Sequence, residues 1–200
     1  RTRKRSMPLP ESPQRTELHL RRIGGTEREV GSESGGRQVV PSMSGNGRYV
    51  AYATTAGNVV ANDTNGLQDA FVVDTVTGTT VRVSQTSAGI GGDGSSPEGQ
   101  GERIALSHDG QWAAFTTAAR NLGANTPPTA TSSVLMRNWA TGQVLSLSDA
   151  AYRSPGAVSM TASGAYVAFL SDGQLDPRFS STGLFARWTG LGNAWWWTMN

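Results

Sequence analysis

The chain has no cysteine, one lysine and two histidines in 200 residues. Without cysteine there is no disulfide framework, no thiolate zinc site and no cysteine nucleophile. Two histidines cannot build a three-histidine zinc centre, and no G-x-S-x-G elbow is present to serve a serine hydrolase. No apolar run approaches about 18 residues, so no helical membrane span is expected. Charged residues make up 16% of the chain, too few for a charge-driven disordered segment or a coiled coil. A single lysine against sixteen arginines reads as a GC-rich coding source, without chemical meaning. The length allows one mid-sized domain or two very small ones.

Charge is unevenly placed. Residues 1–40 carry nine Arg/Lys and five Glu, a balance of +4, while residues 41–200 carry eight Arg and ten Asp/Glu, a balance of −2. A nucleic-acid module spreads a basic stripe over its folded surface. Here the basicity sits in an arm, Arg1-Thr2-Arg3-Lys4-Arg5, so nucleic acid is not the expected partner. The chain begins at Arg1 rather than Met, which reads as a processed product or a fragment.

What the sequence does have is glycine, 25 residues of it, and internal repetition. Ser44-Gly45-Asn46-Gly47-Arg48-Tyr49-Val50-Ala51-Tyr52 recurs as Ser107-His108-Asp109-Gly110-Gln111-Trp112-Ala113-Ala114-Phe115. It recurs again as Thr161-Ala162-Ser163-Gly164-Ala165-Tyr166-Val167-Ala168-Phe169. A second motif follows each copy: Phe71 to Val83 around Thr77-Gly78, Leu135 to Leu147 around Thr141-Gly142, and Leu184 to Gly190. Leu18 to Val30 aligns as a degenerate copy ahead of all three.

Both motifs read as β-hairpins, with turn dipeptides flanked by short β-branched and aromatic runs. No segment keeps a helical period. Ala51, Ala114 and Ala168 share one repeat position, where a small residue lets neighbouring sheets approach closely. Two hairpins make a four-stranded unit, and such units bury both faces by stacking around an axis. The expected fold is therefore all-β and β-propeller-like, with about three to four blades of four antiparallel strands and a ring left incomplete.

These residues resemble the TolB-like, WD-type β-propeller repeats of bacterial exported proteins. Ser44 to Ser84 carries the resemblance best, including Asn58-Val59-Val60, Asp63-Thr64-Asn65-Gly66 and Asp69-Ala70-Phe71-Val72-Val73-Asp74. Ser107 to Ser148 follows, with Ala119-Arg120-Asn121-Leu122 in place, and Thr161 to Gly190 is weaker. The resemblance implies the fold. For function it implies a binding platform, a scaffold or a gating domain attached to an enzyme. The expected organisation is an extended arm over 1–16, blades over 17–190 (a half blade 17–37, then 38–100, 101–154 and 155–190) and a Trp-rich tail over 191–200.

Asp63, Asn65 and Asp69 place oxygen ligands at positions 1, 3 and 7 of a glycine-turned loop, as a hard cation such as Ca²⁺ requires. The alternative is an Asx-rich turn that binds its own backbone. The second unit has Asn125-Thr126-Pro127-Pro128 there and has lost the acids. No other cofactor is expected, and the cation this loop would take is Ca²⁺. Gly89-Ile90-Gly91-Gly92-Asp93-Gly94 spells G-x-G-x-x-G, but no helix signal follows, so it reads as an inter-blade loop. His19, His108 and Asp109 read as structural, and Glu98 and Glu102 lie in a Gly/Ser-rich loop unsuited to a carboxylate pair.

Three consecutive indoles, Trp195, Trp196 and Trp197, cannot all face one side of a strand, so at least one needs a partner surface. With Arg1, Arg3, Lys4 and Arg5 they are the expected partner-binding residues. The expected function is a non-catalytic structural or protein-interaction subunit of a larger, membrane-associated complex on the periplasmic side. Its expected partners are other protein subunits, with contact to a membrane surface. The alternatives are a secreted calcium- or ligand-binding propeller module and a gating propeller cut from a hydrolase.

Overall fold

The computed structural model describes residues 15–21, 27–34, 38–98, 103–123, 131–148, 156–171, 183–189 and 197–198, the backbone alone being described for 15–39 and 197–198. Every regular element among these residues is a strand. A hairpin of β1 (Arg15–Arg21) and β2 (Glu27–Ser34) precedes three meanders. The first meander is β3 (Gln38–Met43), β4 (Tyr49–Thr54), β5 (Asp69–Asp74) and β6 (Thr80–Arg82). The second is β7 (Ala105–Leu106), β8 (Trp112–Thr117), β9 (Ser133–Asn138) and β10 (Val144–Ser146). The third is β11 (Gly156–Met160), β12 (Tyr166–Ser171), β13 (Gly183–Trp188) and β14 (Trp197–Thr198). Each meander is an antiparallel four-stranded sheet in chain order. Among the described residues the fold is all-β and propeller-like, with three four-stranded sheets and a separate two-stranded hairpin.

The first hairpin of each blade repeats down to its hydrogen bonds. Gly47, Gly110 and Gly164 have φ of 71°, 72° and 71°, a conformation that glycine adopts without a Cβ clash. Their amides donate to Ser44, Ser107 and Thr161 carbonyls at 2.9, 3.0 and 2.9 Å. The hydroxyls of Ser44, Ser107 and Thr161 accept from the amides of Tyr49, Trp112 and Tyr166. Asn46, Asp109 and Ser163 accept from the amide two residues on. Asp109 thus works as a turn residue.

Strand alternation sends one set of side chains toward each neighbouring blade. Ala51, Ala53, Ala70 and Val72 of the first blade meet Ala113, Phe115 and Leu135 of the second. The second blade turns Ala114, Val134 and Met136 toward Val158, Val167 and Phe169 of the third. Ala51 and Ala114 are fully buried in these seams, as a position of close sheet approach requires. On the other face of the first blade Tyr52, Phe71 and Val73 form their own cluster.

Hydrogen bonds cross the same seams. The Asn46 amide donates to the His108 carbonyl at 2.9 Å, and the His108 amide to that of Ala162 at 2.7 Å, so the three turns are linked in series. The Arg137 guanidinium donates to the carbonyls of Gln85 and Thr86 in the preceding blade. Arg187, which occupies the same register position in the third blade, donates to the Leu147 carbonyl of the second at 2.7 Å. Burial lowers the Arg137 pKa from its ordinary value, and the two carbonyls offset part of that cost. Trp197 and Thr198, within the segment read from sequence as a tail, pair with Ala186 and Phe185 as the fourth strand of the third blade.

Candidate functional site

The loop from Asp63 to Asp69 runs into β5, and its side chains converge on β6. Asn65 Oδ1 accepts from the Leu67 amide at 2.9 Å, an Asx turn that folds the loop back. That leaves Asn65 Nδ2 to donate to Asp69 Oδ2 at 2.9 Å and to the Gly92 carbonyl at 3.1 Å. Ser84 donates its hydroxyl to Asp69 Oδ1 at 2.5 Å and accepts from the Ala70 amide at 3.0 Å.

The three residues expected to hold a cation are therefore brought together, and a guanidinium sits among them. Arg82 Nη1 lies 3.1 Å from Asp63 and 3.6 Å from Asp69. The side chains of Arg82, Asp63 and Asp69 are 3%, 4% and 0% exposed. Burial pushes the Asp69 carboxyl above the usual carboxylate range. Hydrogen bonds from Ser84 and Asn65 pull it back, the Asp63 charge pushes it up, and Arg82 opposes both of the upward effects. Arg82 Nη2 also reaches the Gly89 carbonyl at 3.4 Å, and Nε is buried without a partner. Among the described residues no group of three or more His, Asp or Glu side chains gathers in metal-binding geometry.

Arg82 escaped the sequence reading, although the two-copy comparison carried a signal. The second blade has Ser133 where the first has Asp69, and Ser146 where the first has Arg82. Loss of acid and base together marks a pair. The hydroxyl half of the arrangement survives: Ser148 accepts from the Val134 amide at 2.8 Å, as Ser84 does from Ala70.

Of the other residues, those of the glycine-rich segment, His108 and Glu98 lie in loops and turns. Gly89 to Gly94 is the connection from the first blade to the second, pinned where Asp93 Oδ1 accepts from the Arg120 amide and Asn121 Nδ2 donates to the Gly91 carbonyl. The His108 ring packs so closely on Gly45 that a Cβ there would lie 2.2 Å from it. Glu98 exchanges backbone hydrogen bonds with the Thr116 hydroxyl. His19 lies on β1, described by backbone alone, and Trp197 likewise on β14. Arg1, Arg3, Lys4, Arg5, Trp195, Trp196 and Glu102 lie outside the described residues.

A second ion pair sits on the first blade's outer turn. Arg48 grips Asp74 with both carboxylate oxygens engaged, at 2.7 to 3.1 Å. Together with the Val76 and Thr77 amides it holds the Asp74 carboxyl well below the usual range. Asn138 makes the same Asx turn in the second blade without a charge, accepting from the Ala140 and Thr141 amides.

Geometry of this kind defines a β-propeller module, and comparison with known structures sharpens the class. TolB from Acinetobacter baumannii aligns with a TM-score of 0.52 at 19% identity, over 86% of this chain and 34% of TolB. The tricorn protease aligns with a TM-score of 0.54 at 12% identity, over 86% of this chain and 15% of the protease. The propeller domain of the Trilobed protease from Pyrococcus furiosus, described as having an open velcro topology, aligns with a TM-score of 0.51 at 10% identity over 82% of this chain. The fold is that of a TolB-like β-propeller, and this chain spans 34% of TolB and 15% of tricorn. No protein-family model matches it, and no curated protein matches it by sequence.

Proposed function

We propose that the chain is a non-catalytic structural and protein-interaction module of a larger assembly. One observation carries this reading. Tyr166, Leu170 and Leu184 on the outer face of the third blade are 46%, 41% and 47% exposed. In the first blade the same register positions are held by Tyr49, Ala53 and Ala70, which pack against the second blade. The third blade presents a surface of the kind that elsewhere in this molecule seats another blade. Contiguous exposed apolar surface of this sort marks an interaction site. Its occupant is a further blade, supplied by more of the same ring or by another subunit.

The finer reading places the module in a membrane-associated complex on the periplasmic side, in keeping with its TolB-like fold. There the basic arm and the indoles of Trp195, Trp196 and Trp197 add to the docking surface. Light scattering on the eluting chain tests the core of the proposal. The wild type is expected to self-associate or precipitate with rising concentration, and L184K to lessen this. A wild type that stays monomeric at every concentration, unchanged by L184K, overturns it.

A second reading is favoured by the protease structures among those matched, the tricorn and Trilobed proteases included: a propeller that gates a hydrolase domain. It requires a longer native product. Intact-mass measurement on source material decides it, since a native mass of 21.1 kDa rejects it.

A further inference from the structure

The two inter-blade seams share one plan of register but not of side chains, and the difference that matters here is at a single position. At the seam of first and second blades, the Trp139 amide donates to the Gln111 carbonyl and its indole Nε1 to the Gly110 carbonyl at 2.7 Å. The indole stands edge-on to the Tyr49 ring, with centroids 5.5 Å apart and planes at 61°. At the seam of second and third blades, the Thr189 amide donates to the Ala165 carbonyl and its hydroxyl to the Gly164 carbonyl. Thr189 is therefore the register equivalent of Trp139, and Trp112 that of Tyr49. A threonine stands where its sister seam has an indole.

The space this leaves is a cavity of about 200 Å³. Trp112, Met136 and Leu145 give it apolar walls from the second blade, and Gly164, Ala165 and Thr189 close it from the third. It opens past Gln143 and Ser163, both exposed. An apolar protein cavity on the order of 150 Å³ is enough to hold a benzene ring. The Gly164 carbonyl accepts one bond from Thr189 and has a second lone pair to offer.

We propose that this cavity is a binding site for an indole ring, taken either as a free small molecule or as a tryptophan side chain in a peptide. The sister seam supplies the precedent: there the Trp139 indole occupies the position equivalent to Thr189, edge-on to an aromatic ring and with Nε1 on the Gly110 carbonyl, the counterpart of Gly164. Binding would join the second and third blades as Trp139 joins the first and second.

Fluorine NMR of fluoroindole titrated with the full chain tests the site, with N-acetyltryptophan amide as the second arm. Saturable broadening with a Kd under about 1 mM is expected. Preference for free indole identifies a small-molecule site, and equal or tighter binding of the amide identifies a site for a tryptophan side chain. Thr189→Trp is expected to fill the cavity and abolish binding in both arms. Because that variant has to fold to be informative, amide-resolved NMR of the wild type gives an independent readout: shifts confined to Trp112, Gly164, Ala165 and Thr189. Non-saturable binding, shifts elsewhere, or undiminished binding by folded Thr189→Trp overturns the proposal.

Discussion

Strand β4 of the first blade reads Tyr-Val-Ala-Tyr-Ala-Thr and strand β12 of the third reads Tyr-Val-Ala-Phe-Leu-Ser. In β4 every residue after Tyr49 is buried, whereas β12 alternates between buried and open positions. Near-identical local sequence thus gives opposite surroundings on one face. A strand's own pattern sets which side chains share a face. Whether that face becomes core depends on what the rest of the molecule lays against it. The pairing β5 and β13 repeats the lesson: β5 is buried throughout, and no residue of β13 is.

The largest effect should come from removing rings on covered faces. Phe71→Ala in the first blade and Phe169→Ala on the covered face of the third should each cost about 3–5 kcal/mol, since both rings are 0% exposed. Leu170→Ala and Leu184→Ala on the open face should stay within about 0.5 kcal/mol in the monomer. Urea denaturation measures all four. Equal losses at Leu184 and Phe169 would show that the outer face is covered after all, and the contrast between blades would be gone.

Next in size is a difference between the first and second blades. Arg82→Met leaves Asp63 and Asp69 buried without their cation, and stability should fall by about 3 kcal/mol. Removing Asp69 as well, in the second blade's manner (Arg82→Met with Asp69→Ser), should recover part of the loss. A double variant no better than the single would show that the charges are not coupled.

A smaller effect is linked to pH. Asp74 has its folded pKa depressed by Arg48, whereas the unfolded carboxyl titrates near about 3.9. The pair therefore contributes fully above about pH 4, and its contribution is lost as pH falls below that through the folded value. The urea midpoint of the wild type should exceed that of Asp74→Asn at neutral pH, and the gap should close in acid. Because Arg48 is 46% exposed, water screens the pair and the gap is small. An acid-independent gap would sink the linkage.

The smallest expected effect concerns calcium. With Arg82 seated among Asp63, Asn65 and Asp69, excess Ca²⁺ or chelator should move the melting temperature of the wild type by less than about 1 °C. A larger rise with Ca²⁺ would mean that the loop releases Arg82 and takes the metal.

The order of strands, the three matching turns and the all-β, propeller-like repeat of four-stranded units are all legible in the residues. Turn chemistry is local: Asn46-Gly47, Asp109-Gly110 and Ser163-Gly164 each close a hairpin with bonds spanning a few residues. The candidate site was legible in half. Asp63, Asn65 and Asp69 lie within seven positions of one another, so their convergence could be read from spacing. Arg82 reaches them only across the β5–β6 pairing, and nothing in the loop itself announces a cation from the next strand.

By itself, then, the sequence determined the hairpins, the alternation of faces and the alanines that let sheets meet, because these follow from backbone conformation and side-chain size within short stretches. Only the tertiary structure decided that a guanidinium sits among the acids, that a cavity lies beside Thr189 where Trp139 stands at the sister seam, and that Tyr166, Leu170 and Leu184 on the third blade are exposed. Each of these depends on which distant segments come into contact, and burial is a property of both partners to a contact.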